Sequence, residues 1–308
     1  MKNYDKLLIV ILGPTAVGKT SVSIELAKLL KTEIISADSR QFYKEMKIGT
    51  APPNPYELNE VKHNFIGHLS VKENYDVSKY ETDAIFKINN LFEKYSSLIM
   101  VGGSGLYINA VLNGIDDLPD PDESTRDYLK TLYDSEGIAS LRKLLKDLDP
   151  EFYSQVDLMN HLRIIRALEV CLTTGQKFSS LRKNVGKKRI FENLIIGLNR
   201  DKEELYYLIN KRVDIMMENG FLQEARELYP FRNFNALKTV GYKELFDYID
   251  GLISLDQAVE KIKTNSRHYA KRQLTWFRKT PGIKWFNPSE INLIYEYIEN
   301  IQRIEIIK

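Results

Sequence analysis

Eight consecutive residues, Gly13-Pro14-Thr15-Ala16-Val17-Gly18-Lys19-Thr20, carry the spacing G-x-x-x-x-G-K-T. Glycines at these positions let backbone N–H groups turn inward around phosphate oxygens, and a helix that follows points its positive end at the same place. Lys19 adds a point charge, and Thr20 adds a hydroxyl suited to Mg²⁺. The eight residues are therefore candidate diphosphate ligands, and Thr20 is the candidate metal ligand. The loop alone leaves open whether the phosphates belong to a nucleotide.

Two further positions have chemistry suited to such a site. Asp38 closes the apolar run Glu33–Ala37. A carboxylate at a strand end beside a phosphate loop can act as a general base or hold Mg²⁺ through water. Asp38-Ser39-Arg40-Gln41 also has the Asp-x-x-Gln spacing of a helix capping box, and the two roles can coexist. The run Ser97–Val101 ends in Gly102-Gly103-Ser104-Gly105 with no acid. Hydrolytic phosphate-loop proteins use an aspartate near there to hold Mg²⁺. Its absence argues against an ATPase and for a transfer in which the phosphates are held. Paired glycines permit close approach of a ligand. Ser104 could cap the next helix or offer its hydroxyl to a reacting group.

The cationic residues are clustered. Between Lys261 and Ser289 there is no acid. At about 100° per residue, Lys263, Arg267, Lys271 and Arg278 share one helical stripe. Val259, Ile262, Tyr269, Trp276 and Phe277 fall on the other side, which predicts an amphipathic helix with Arg267, Lys271 and Arg278 free to meet phosphates. Lys177 to Phe191 is a second acid-free basic run, and Arg163 with Arg166 shares a helix face. The net charge of only +2 gives no global attraction to nucleic acid, so these clusters would have to supply it.

These residues need a scaffold that brings strand ends together. Leu7–Leu12, Glu33–Ala37, Ser97–Val101 and Leu194–Leu198 read as short buried strands, and Ser78–Tyr95 has helical apolar spacing. Strands alternating with helices predict an α/β fold with a parallel sheet covered on both faces, in the manner of phosphate-loop NTPases, with ligands beyond the strands' carboxyl ends. Leu118-Pro119-Asp120-Pro121-Asp122 reads as a stiff linker. Residues 117–188 read as an all-helical insertion into a core made of 1–116 and 189–308. In the insertion Asn160 caps a helix that Gly175 closes. Asp201 and Glu204 predict a capping box for a helix ending at Asn219-Gly220.

Composition narrows the function classes. The chain has 308 residues, is 43% hydrophobic and contains one cysteine, which excludes a disulfide framework and a cysteine-rich zinc module. Cys171 is expected to be a small buried residue on a helix. With no signal peptide and no membrane-length apolar run, a soluble cytoplasmic monomer is expected.

Six segments occur in order: Gly13–Thr20, Ile35-Ser36-Ala37-Asp38-Ser39-Arg40-Gln41-Phe42-Tyr43, Met46–Ala51, Val101-Gly102-Gly103-Ser104-Gly105-Leu106-Tyr107, Arg166–Val170, and Arg267-His268-Tyr269-Ala270-Lys271-Arg272-Gln273-Leu274-Thr275-Trp276-Phe277-Arg278. Together they resemble the bacterial tRNA dimethylallyltransferase (tRNA isopentenylpyrophosphate transferase) family, from about Leu7 to Phe286. The resemblance implies transfer of a dimethylallyl group from dimethylallyl diphosphate to the exocyclic amine of the adenine 3′ of the anticodon, in tRNAs reading codons that begin with U. It implies that the loop holds the substrate diphosphate without consuming ATP, that Mg²⁺ assists, and that Asp38 is the base. Ser104 stands where the family commonly has threonine. Arg126 and Arg212 match positions near the reacting groups. Asp38, Ser39, Arg40 and Gln41, and Asn160, His161, Leu162, Arg163 and Arg166, match stretches that contact the tRNA anticodon stem-loop. The family's eukaryotic zinc finger is missing. His63 and His68 lie in a segment the family also carries and are expected to be structural.

The implied chemistry has a clear demand. An adenine amine is a weak nucleophile, so rate must come from positioning and from charge on the departing diphosphate, which Lys19 and Arg212 would supply. The base must also flip out to be reached. Two readings compete with this one. A phosphate-loop nucleoside or nucleotide kinase shares the loop but needs no basic stripe, and a non-catalytic RNA-binding regulator would use the loop only as an anion site.

Overall fold

A computed structural model describes residues 6–116, 118–119, 122–183 and 185–306, with the side chains of 302–306 outside that description. The expected linker falls partly outside it, at Asp120 and Pro121. The chain forms two compact units, one made of 1–112 and 189–308 and the other of 113–188.

The first unit is a six-stranded sheet of β1 (Leu7–Leu12), β2 (Ile34–Ser36), β3 (His63–Asn64), β4 (Ser97–Gly102), β5 (Glu192–Leu198) and β6 (Lys284–Phe286). The strands lie in the order β3-β2-β4-β1-β5-β6, and every pairing is parallel. The α/β parallel-sheet fold expected from the sequence is thus the fold observed. β1 is central because all six of its residues are apolar and buried, which suits a strand covered on both faces. Alternation divides it between two cores. Leu8, Val10 and Leu12 face Tyr80, Ala84 and Ile88 of α3 (Val77–Leu91) and Ile108 and Val111 of α4 (Gly105–Asn113). Leu7, Ile9 and Ile11 face Val22 and Leu26 of α1 (Lys19–Leu30) and Leu205 and Ile209 of α10 (Lys202–Glu218).

Parallel pairing puts four strand ends on one edge. Leu12 is opposite Gly102 in β4 and Gly197 in β5, and Ser36 of β2 is opposite Val101. The phosphate loop, Asp38, Gly103-Ser104 and Arg200 therefore leave the sheet side by side. Around that edge stand α2 (Pro55–Glu60), α11 (Phe221–Leu228), α12 (Tyr242–Ile249), α13 (Leu255–Phe277) and α14 (Ile291–Ile306). Among the described residues no helix is long and apolar enough to cross a membrane.

Two local expectations differ from the structure. No helix follows Asp38: residues 39–42 form turns, and the Gln41 side chain bonds to the carbonyls of Thr50 (3.3 Å) and Ala51 (3.2 Å) instead of closing a box. Asp201 does cap α10, accepting from Glu203 N at 2.9 Å, but Glu204 turns away to Arg200 at 2.5 Å. A guanidinium one turn earlier competes more strongly for that carboxylate than a backbone N–H does.

The second unit contains α5 (Glu123–Glu136), α6 (Ile138–Leu148), α7 (Pro150–Gln155), α8 (His161–Thr174) and α9 (Phe178–Leu181). Leu129, Leu141, Leu145, Phe152, Ile164 and Leu168 form its own core, with Cys171 buried on α8. Asn160 caps α8 by accepting from Arg163 N at 3.1 Å, and Gly175 ends it in a left-handed conformation. Asp149 is fully buried and accepts from Phe152 N at 3.0 Å, Ser179 N at 2.7 Å and Ser179 Oγ at 2.8 Å. Asp149→Ala strands these donors and should destabilise the helical unit by about 1.5–3 kcal/mol. Urea denaturation should show an early transition for this unit, while diphosphate affinity, a property of the first unit, stays unchanged.

Candidate functional site

The loop after β1 bends through Ala16 and Gly18, whose φ angles are 63° and 109°, and runs straight into α1. No side chain caps the start of α1, which leaves its N–H groups and positive dipole end directed at the loop. Lys19 lies half-buried with its Nζ donating to Pro14 O at 2.7 Å. Its pKa is lowered to about 8, by burial first, with Asp38 raising it and the nearby Arg212 adding a smaller lowering. From the end of β5, Arg200 donates to Val17 O at 2.9 Å and steadies the loop from behind.

Arg212, on α10, reaches the same place. Its Nη1 donates to Thr15 Oγ1 and its Nη2 to Ala51 O, both at 3.1 Å. Burial lowers its pKa, and Asp38 counteracts that shift. Asp38 accepts from Arg40 N at 3.0 Å through Oδ1, while Oδ2 has no hydrogen-bond partner among the described residues. Asp38 lines one cavity with Lys19 and Arg212, and its charge raises the pKa of both cations. Ser104 Oγ accepts from Ser39 N at 3.1 Å and donates to Ser39 Oγ at 3.2 Å, so its hydroxyl faces the Asp38 segment instead of capping α4.

These groups line two adjoining cavities of about 230 and 250 Å³ that share Thr15, Ala16, Asp38, Thr50, Ala51, Arg212 and Tyr269. The first is polar at its floor, with Lys19, Thr20, Ser36, His63 and Gln273. The second adds Ile209, Val213, Met216 and Ile262. His63 Nδ1 lies 2.8 Å from Val61 O, whereas its Nε2 is buried without a partner. His68 packs edge-on against Phe42, Phe65 and Tyr75.

Four residues of this site carry no role on sequence grounds. Gln273 accepts from Thr15 N at 2.9 Å and donates to Gly103 O at 2.8 Å. A Cβ on Gly103 would meet Gln273 Nε2 at 2.4 Å, so a side chain of this protein fills the space that the glycine pair seemed to reserve for a ligand. Tyr269 stands beside Asp38, and its pKa is pushed up to about 12 by burial first and by the Asp38 charge second. Glu224 accepts from Lys47 N and Ile48 N at 2.7 Å, Gly49 N at 2.9 Å and Tyr242 Oη at 2.6 Å, fixing the turn that presents Ala51 O to Arg212. Arg200 is the fourth. Gln273 and Glu224 had a signal: each is a polar residue on an otherwise apolar helix face.

The basic residues are not equivalent. Lys263 is paired with Asp214 at 2.8 Å and Glu260 at 3.2 Å. Arg267 donates to Asn210 at 2.6 Å and Thr264 at 2.9 Å. The first half of the expected stripe is thus packed against α10, and only Lys271 and Arg278 are exposed. Trp276, expected in the core, is 50% exposed. Arg40 is also engaged, donating to Asn235 O at 2.8 Å and Ala236 O at 3.1 Å. In the second unit Arg126 and Arg166 converge on buried Glu169 at 2.9 and 3.5 Å, His161 stacks on Tyr133, and Leu162 and Arg163 are exposed.

A family profile described as IPP transferase matches residues 41–280. The tRNA dimethylallyltransferase of Christiangramia forsetii is 53% identical over 301 residues, covering 97% of this chain and 99% of that protein. The tRNA dimethylallyltransferase 1 of Phocaeicola vulgatus is 47% identical over 294 residues, covering 96% of this chain and 98% of that protein. The crystal structure of the tRNA isopentenylpyrophosphate transferase of Bacillus halodurans superposes with a TM-score of 0.72 at 37% identity, covering 98% of this chain and 99% of that one. A eukaryotic dimethylallyltransferase acting on tRNA superposes with a TM-score of 0.79 at 27% identity, covering 96% of this chain and 80% of that one. These matches do not favour the kinase alternative.

The depressed pKa of Lys19 makes anion binding pH-dependent. Below about 8 Lys19 is charged, and above it neutral. A bound diphosphate favours the charged form, so affinity should fall as pH rises through this value, and binding near it should take up a proton. Calorimetric titration of a diphosphate monoester in two buffers of different ionisation heat measures the uptake. Lys19→Met should abolish it.

Proposed function

This chain belongs to the IPP transferase family, and we propose that it transfers a dimethylallyl group from dimethylallyl diphosphate to N6 of the adenine immediately 3′ of the anticodon. The tRNAs would be those reading codons that begin with U. The observation that carries this reading is the convergence of Lys19, Arg212 and Asp38 on one cleft, two cations for a leaving diphosphate and one carboxylate with a free oxygen for a proton.

In the transfer, the C1–O bond of the donor breaks and its electron pair leaves with the diphosphate. Lys19, Arg212 and the loop N–H groups stabilise the charge that develops there. N6 of the adenine forms the new bond to C1, and Asp38 Oδ2 takes the N6 proton. The Ser104 hydroxyl and Tyr269 border Asp38 and would orient the amine. The extruded base has the half-apolar second cavity to enter.

The metal donor set is thin. Thr20 and Asp38 line the same cavity, and among the described residues no group of three or more His, Cys, Asp or Glu could hold an ion. That fits Mg²⁺ held mainly by substrate phosphates and water, with the Thr20 hydroxyl as its protein ligand. When bound, the ion would add positive charge to the departing diphosphate. We further propose a soluble, cytoplasmic monomer.

Mass analysis of tRNA nucleosides after incubation with this protein and dimethylallyl diphosphate tests the reaction, and an unmodified adenosine pool would reject it. Asp38→Asn tests the base: the amide oxygen can still accept from Arg40 N, while the proton acceptor and the negative charge that raises the Lys19 and Arg212 pKa values are lost. Single-turnover transfer should then fall by roughly 10²–10⁴-fold with the diphosphate substrate still bound.

For RNA affinity, the exposed end of the stripe carries the expectation. Lys271→Glu with Arg278→Glu should weaken tRNA binding and make its logarithmic salt dependence shallower by roughly 1–2. An unchanged slope would leave the stripe as a solvated surface.

A further inference from the structure

One aromatic side chain at the rim of the cleft has no structural partner of its own kind. Trp276 is 50% exposed, on a helix whose neighbouring turns are packed into the unit. It has no ring or cation partner among the described residues. Its position is nevertheless fixed. A Cβ on Gly105 would meet the indole Cδ1 and Nε1 at 2.4 Å, so the ring's edge is seated on the backbone at the start of α4. Gly105 directly follows Ser104, whose hydroxyl bonds to the cleft-lining Ser39, and Trp276 lies one to two turns beyond Tyr269 and Gln273 on α13, both of which line the cleft.

The surroundings of the indole are cationic and open. At 100° per residue, His268, Arg272 and Trp276 fall within about 80° of arc, next to the arc of Tyr269 and Gln273 that faces the cleft, and Lys279 follows in the turn after the helix ends at Phe277. All four are exposed. Arg272 lies over the Tyr269 ring at 5.8 Å, which ties this stripe to the cleft wall. It is distinct from the Lys271 and Arg278 stripe. Leu106, the next residue after Gly105, is 47% exposed.

A rigid aromatic with an exposed surface, flanked by cations and adjoining a cleft for an extruded base, matches the recognition of a single-stranded nucleotide by stacking and phosphate contact. Building on the RNA-modifying reading above, we propose that Trp276 is a stacking platform for the nucleobase adjacent to the target adenine, with Arg272 and Lys279 holding the phosphates on either side. When an adenine leaves the loop stack, its neighbour loses a stacking partner, and Trp276 replaces that partner. The platform would therefore lower the cost of extrusion without touching the reacting atoms.

The test uses the full chain and an anticodon stem-loop RNA. Wild-type protein should show tryptophan quenching on adding the RNA, and Trp276→Phe should lose most of that signal. Trp276→Ala should raise KM for the stem-loop by about 10-fold, while Trp276→Phe, which keeps a π-face, stays within a few-fold of wild type. KM for dimethylallyl diphosphate should not change for either. Stem-loops abasic at the nucleotide before or after the target separate stacking from packing. With one of them, wild type and Trp276→Ala should become equal. An unchanged KM for RNA in Trp276→Ala overturns the platform, as does a deficit that persists on both abasic RNAs. Absence of transfer by the wild-type protein rejects the reaction itself, whereas transfer that ignores Trp276 rejects only the platform.

Discussion

The buried Gln273 amide ties together the three segments on which the cleft depends. Its oxygen accepts from Thr15 N in the phosphate loop, and its nitrogen donates to Gly103 O at the end of β4. Both partners are backbone groups that would otherwise be buried unpaired beside an anion site, and such groups cost about 1–3 kcal/mol each. An amide can donate and accept at once, from two separate atoms and with no charge of its own. A carboxylate there would repel a diphosphate, and a lysine could not accept from Thr15. This bridge fixes α13 against the sheet edge. Once α13 is fixed, Tyr269 is placed beside Asp38, and Trp276 is placed over Gly105.

The second organising feature is the arrangement of charge. Lys19, Arg212 and Asp38 line one cavity, and both cations have lowered pKa values because they are desolvated. Each uses backbone or hydroxyl acceptors as partners: Pro14 O for Lys19, and Thr15 Oγ1 and Ala51 O for Arg212. Among the described residues neither is locked in a direct ion pair with a carboxylate, which would have to be broken before an anion could bind. The turn carrying Ala51 is in turn held by Glu224, which lies outside the cleft lining. Positive charge is therefore oriented before the ligand arrives, and little reorganisation remains for the reaction itself.

The sequence revealed most of the sheet and part of the site. β1, β4 and β5 were legible because central parallel strands are continuous apolar runs, and the phosphate loop because its chemistry is local in sequence. β3 and β6 were not, since two or three residues at a sheet edge have no periodicity to detect. Asp38 was visible as a strand-end acid, but its helix cap was not real: Gln41 finds the Thr50 and Ala51 carbonyls across a fold-back that no local pattern encodes. The basic stripe was half right. Helical spacing puts Lys263 and Arg267 on one face, yet it cannot show that α10 brings Asp214 and Asn210 to meet them. The polar residues on apolar faces, Gln273 and Glu224, were the signals most easily passed over, because an amphipathic pattern is read for its majority.

The absence of an acid at the end of β4 now has a physical context. In a phosphate loop that hydrolyses, a carboxylate beside the metal helps position water at a phosphorus atom. Here that strand ends in Gly102-Gly103-Ser104, where a Cβ on Gly102 would lie 2.3 Å from Ala37 O and one on Gly103 would meet Gln273. Backbone leaves no room for a side chain at Gly102, and one at Gly103 would displace the Gln273 bridge. The carboxylate is instead on the neighbouring strand's end, at Asp38, where it lines both cavities. Moving the acid by one strand takes it from the phosphates to whatever approaches them from the other side. A scaffold arranged in this way suits the proposed reaction, in which a carbon passes from a diphosphate oxygen to a nitrogen whose proton a carboxylate must take.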